Sequence, residues 1–88
     1  MSGILWVKDN TTFKQDWRLQ ATDTSLLPTD RHEAQAGEQL NFSSIDYDTN
    51  QYEGHWKVTF NPPLEPDGGG KPIFTWYVYA EHVEELTP

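Results

Sequence analysis

Three histidines, His32, His55 and His82, are the side chains of this chain best suited to bind a metal or pass a proton near neutral pH. They show no HxH or HExxH pairing, so their spacing predicts surface or groove histidines rather than a zinc site. Asp46-x-Asp48-x-Asn50 opens like a calcium loop. Its sixth position, where the sharp turn needs glycine, is Gln51, and its twelfth, where a bidentate acid is needed, is Lys57. An ordinary Asx-rich turn is expected there. GGGK at Gly68 to Lys71 resembles the end of a phosphate loop, but Glu65 and Pro72 stand where Gly and Ser or Thr are required, so a flexible hairpin tip is expected. Ser25, Ser43 and Ser44 have no nucleophile elbow around them. Glu84 and Glu85 are consecutive on an expected strand and face opposite sides, unlike the facing carboxyls of a glycosidase. The chain has no cysteine, hence no disulfide and no thiolate. Asn10-Thr11-Thr12 and Asn41-Phe42-Ser43 match the glycosylation pattern by chance if no secretion signal precedes them. The side chains thus predict no enzyme, no metal and no cofactor.

What positions these residues is a set of short strands. HWKVTF (His55 to Phe60) alternates, with Trp56, Val58 and Phe60 on one face and His55, Lys57 and Thr59 on the other. IFTWYVY (Ile73 to Tyr79) alternates likewise, placing Phe74, Trp76 and Val78 opposite Thr75, Tyr77 and Tyr79. Between them, NPPLEPDGGGKP (Asn61 to Pro72) carries four prolines and three glycines and reads as a long hairpin loop. QLNFSSIDY puts Leu40, Phe42 and Ser44 on one face and Asn41, Ser43 and Ile45 on the other. Ile4 to Lys8 reads as a first strand, which Thr11 to Lys14 extends or restarts. Gln15 to Ala36 reads as a long polar loop anchored by Leu26 and Leu27, and Ala36-Gly37 as a turn. The prediction is an all-β fold, a small barrel of about five strands with a long early loop and a Pro/Gly-rich hairpin loop, forming a single domain over residues 1–88 in which residues 1–10 serve as an extended arm.

Fourteen acids against six bases give a formal charge of -8, and no Lys/Arg cluster offers a footprint for phosphates. Nucleic acid is therefore not an expected partner, although an acidic inhibitor or nucleic-acid mimic is a third, weaker reading. No apolar run approaches the roughly 20 residues that span a bilayer. MSGILWVKDN lacks the basic start and long apolar stretch of a secretion signal, so a chain in the cytoplasm or inside a larger particle is expected.

The order of strand, long acidic loop, strand, loop, strand, hairpin, strand, short turn and short strand resembles an SH3-like barrel. NFSSIDYD is similar to its second strand and following loop, GHWKV to its Trp-bearing third strand, and YVYAEHVEE to its fourth strand, one-turn 3₁₀ segment and final strand. More narrowly, TFK, SLLP, AG, HWKVTF and TWYVYAEHV together resemble a small repeat module of cyanobacterial cell-wall-associated proteins, over Thr11 to Leu86. QDWRLQATD and the PPLEPDGGGKP loop depart from the compact form of that pattern. The resemblance implies a wall-associated binding module with no catalytic residue. It does not imply a polyproline ligand, because Tyr79, His82 and His55 stand where that groove uses Pro, Tyr and Trp.

With Trp56, Val58, Phe60, Phe74, Trp76 and Val78 inward, the opposite parity gathers Tyr77 and Tyr79 beside His55. His82 would complete the patch from the 3₁₀ turn, with Tyr47 and Tyr52 flanking it; the rings either form a binding groove or simply cover the second side of the barrel. The expected partner of these six residues is cell-wall glycan or peptide. The alternative is a larger protein assembly, with the chain as a small structural component such as a phage capsid or tail accessory. Oligomeric state is left open.

Overall fold

The computed structural model describes residues 2–20 and 23–86. It shows an all-β chain with seven strands: β1 (Gly3–Val7), β2 (Thr11–Lys14), β3 (Arg31–Ala34), β4 (Gln39–Asp46), β5 (His55–Leu64), β6 (Ile73–Tyr79) and β7 (Val83–Leu86). One-turn 3₁₀ segments precede β3 (Pro28–Asp30) and β7 (Ala80–His82). No helix among the described residues is long and apolar enough to cross a membrane.

The strands form one antiparallel sheet in the order β3-β2-β6-β5-β4-β1-β7. β1 and β2 are joined by only Lys8, Asp9 and Asn10, yet stand four places apart in that order. In a flat sheet four strand spacings would separate them by about 19 Å. The link from Val7 to Thr11 reaches about 14 Å at most. The sheet must therefore curl, and the curl brings its inner face around one core. Leu5, Val7, Phe13, Ala34, Phe42, Val58, Phe60, Trp76, Val78 and Val83 are buried there, drawn from all seven strands. Trp76 lies fully buried with its indole N–H donated to the Ile73 carbonyl at 2.7 Å, so its polar atom is satisfied inside the core.

The structure corrects several expectations. There are seven strands, not about five. One of the additions is Arg31–Ala34, inside the segment expected to be loop. Gly3–Val7 is paired on both sides, to β4 and β7, and does not extend as an arm. Asn61–Leu64 continues β5, so the hairpin loop is shorter than its prolines imply, and Leu64 pairs with Ile73. The register of β5 on β6 shifts between Thr59 and Leu64. Past that irregularity Phe74 no longer faces the core: it is 55% exposed, and Ile73 packs inward instead. A bulge places Ser43 between the Phe42–Phe60 and Ser44–Thr59 pairs. It reverses the parity of β4, so Ser44 is exposed and Ile45 packs against the core. Of the two leucine anchors, Leu26 is buried but Leu27 is exposed.

The Pro/Gly loop has a structural task. Strand β3 is an edge of the sheet, and the loop lies along its free side. Asp67 N–H donates to the Arg31 carbonyl (2.9 Å), Gly68 N–H to the Pro28 carbonyl (2.9 Å), and Glu33 N–H to the Asp67 carboxylate (3.1 Å). Gly68 sits so close that an added Cβ would meet Pro28 and Thr29 at 3.0 Å. Unpaired edge groups are thereby satisfied within the chain.

Candidate functional site

The ladder between β2 and β6 has one rung, Lys14↔Tyr77. On one side of it the Gln15 amide donates to the Thr75 carbonyl at 2.9 Å and carries the contact on. On the other side the strands part, and a cleft of about 400 Å³ opens between Thr11 and Thr12 on one wall and Tyr79, His55 and His82 on the other. Asn10, Lys14, Gln20 and Glu53 complete its lining. Its volume falls in the range of small-ligand sites.

The aromatic wall is held by its neighbours. Tyr79 lies 5.6 Å from the His55 ring and 4.9 Å from the His82 ring, both edge to face. Its hydroxyl donates to Glu81 Oε2 at 2.6 Å, and that bond keeps the phenol protonated above its ordinary range. Gly54, at φ +84°, turns the chain into β5 directly under this ring, its ideal Cβ position 3.3 Å from Tyr79 Cε1. A side chain there would be strained and would push against the tyrosine. His55 is only 8% exposed, and its Nδ1 faces two carbonyls, of Tyr52 and Glu53, each at 3.1 Å. Both are acceptors, so Nδ1 carries the proton and Nε2 keeps the lone pair of the neutral ring. Burial, then the positive Lys14, hold the His55 pKa below its ordinary value. His82 Nδ1 and Thr11 Oγ1 share a hydrogen bond of 2.8 Å, while the His82 carbonyl accepts the Lys8 and Asp9 N–H groups. These bonds pin the 3₁₀ turn to the β1–β2 link, so this hydroxyl–imidazole contact has a structural duty.

The six predicted site residues separate into three groups. His55, Tyr79 and His82 meet in the cleft. Tyr77 and Tyr52 do not reach it: they pack on each other at 5.3 Å and under Trp17, at 4.9 and 5.3 Å respectively. The Tyr52 hydroxyl donates to Asp46 Oδ2 at 2.9 Å. Tyr47 stands apart from both, edge to face with Trp56 at 5.0 Å and hydrogen-bonded to Glu85. Loss of water around its hydroxyl, followed by the Glu85 carboxylate, pushes its pKa up to about 12.

Trp17 and the polar lining were not foreseen. TTFK does alternate, with Thr12 and Lys14 opposite the buried Phe13, and that pattern places both side chains on the outer face. Nothing in the sequence signals that the early loop returns over that face. The Asp46–Asn50 segment is an Asx turn: Asp46 accepts the Asp48 N–H and Asp48 the Gln51 N–H, both at 3.1 Å. Among the described residues no three His, Asp or Glu side chains converge where a metal could be held. Comparison with known proteins finds no family model, no curated protein and no solved structure that matches this chain.

Proposed function

We propose that the chain is a non-enzymatic binding module, an SH3-like barrel whose cleft takes cell-wall glycopeptide. The observation that carries this reading is a cleft lined both by the rings of Tyr79, His55 and His82 and by the hydroxyl and amides of Thr12, Asn10 and Gln20. A sugar ring has an apolar face and a hydroxyl edge. Tyr79, 36% exposed, offers a flat surface to the first, and the polar lining offers hydrogen-bond partners to the second. The curled sheet and the 3₁₀ turn before the last strand support the barrel assignment. Purified protein incubated with cell-wall sacculi tests the reading. Wild type should be retained, Tyr79→Ala should wash off, and Tyr47→Ala, altered outside the cleft, should behave as wild type. Equal retention of Tyr79→Ala and wild type rejects the site.

Exposed Phe74 and Leu27 favour a second reading, a small structural component of a larger protein assembly. Failure to bind sacculi, with capture of a large structural subunit that Phe74→Ser no longer captures, would select it.

A further inference from the structure

The cleft contains a buried cation that forms no ion pair among the described residues. Lys14 lies on the outer face of β2 and is 7% exposed. Its ammonium has three donors, and one is given, at 2.7 Å, to the Leu19 carbonyl. Asp16 is near enough for its charge to favour the Lys14 ammonium, but it forms no ion pair with it: its carboxylate is clasped by Arg18, which donates Nε at 3.0 Å, Nη2 at 2.9 Å and its backbone N–H at 2.9 Å. Glu81 is bound to Tyr79, and Glu53, the one acid that lines the cleft, is exposed and makes no ion pair with Lys14. A buried charge without a partner is costly to the fold.

We infer that the cleft is built to receive a carboxylate, seated at the Lys14 ammonium with the Thr12, Asn10 and Gln20 side chains as neutral hydrogen-bond partners around it. This inference deepens the glycopeptide reading and rests on it. It names the recognised group: the acid of an acidic sugar, or the terminal carboxylate of a short peptide. The loss of stabilising water is the main influence on Lys14, drawing its pKa down, and an incoming anion would reverse it.

Two matched pairs of probes test the inference by NMR titration of the whole chain: N-acetylmuramic acid against its methyl ester, and D-alanyl-D-alanine against its C-terminal amide. In at least one pair the acid should bind about ten-fold more tightly, the usual scale for a charge-assisted contact. Lys14→Met, which keeps the apolar stem, should reduce the acid to the level of its neutral mate. Preference in the sugar pair assigns an acidic sugar, and preference in the dipeptide pair assigns a peptide terminus. Acid and neutral forms binding equally in both pairs overturn the carboxylate while leaving a ligand cleft. If none of the four probes shifts the His55 and Tyr79 resonances, the cleft reading falls as well. Should Lys14→Met not fold, the wild-type comparison decides by itself.

Discussion

Tyr77 and Tyr79 stand two residues apart on the same face of the same strand, and the fold treats them differently. Tyr77 is roofed by Trp17 and flanked by Tyr52. Tyr79 keeps its ring at the edge of a cleft, against two histidines. Strand parity makes the pair equivalent. The early loop makes them different: its Trp17 packs on Tyr77, while its Gln20 lines the cleft that Tyr79 borders. An outward residue is therefore not a surface residue until it is known what else crosses that face.

The comparison can be broken or sharpened by substitution. Trp76, inward and just before Tyr77 on the same strand, sets the scale: Trp76→Ala should cost about 3–5 kcal/mol in urea unfolding, as removal of a large core ring does. Tyr77→Ala should cost less, about 1–3 kcal/mol, since it strips a half-buried ring from two aromatic contacts. Trp17 fluorescence should become more exposed at the same time, which urea unfolding alone would not reveal. Tyr79→Ala should lower stability by under about 1 kcal/mol while weakening ligand binding by about 1–3 kcal/mol, the usual loss for a truncated aromatic anchor. Should Tyr77→Ala and Tyr79→Ala prove equally destabilising, the distinction drawn between them fails.

The smallest effect concerns pH. Burial lowers the His55 pKa from its ordinary 6.5, so as pH falls the unfolded chain takes up this proton before the folded one. The stability attached to His55 is complete above the ordinary value and is lost as pH falls through the lower, folded one. Denaturant midpoints measured at about pH 7.5 and about pH 5.5 should show a drop on acidification. His55→Gln should reduce that drop, and an unchanged drop would remove His55 as its source.

The sequence already displayed much of this arrangement. Regular alternation in β5 and β6 identifies Val58, Phe60, Trp76 and Val78 as core, and all four are fully buried. The same alternation puts His55 and Tyr79 on the other face, where they meet. The rule failed where pairing was irregular. Ser43 bulges and reverses Ile45, and the β5–β6 shift turns Phe74 outward. Strand β3 was illegible because RHEA has none of the Val, Ile, Thr, Phe, Tyr or Trp residues that mark a strand. It is held by pairing with β2 and by a loop more than thirty residues downstream, through Glu33 and Asp67. Lys14 was hidden for a similar reason. Its burial comes from a loop carbonyl at Leu19, a tertiary contact that no alternation pattern encodes.

The three-residue link that forces the sheet to curl also constrains the order of assembly. β1 is sandwiched between β4 and β7, with Ile4 opposite Leu86. β1 can therefore finish pairing only after β7, the last described strand, has been made. Until then Leu5 and Val7, fully buried in the finished sheet, have an incomplete enclosure. Domains dominated by such distant pairings fold in roughly milliseconds to seconds, slowly for their size. The ring-like order of the sheet thus leaves the apolar side of β1 incompletely covered until synthesis reaches β7.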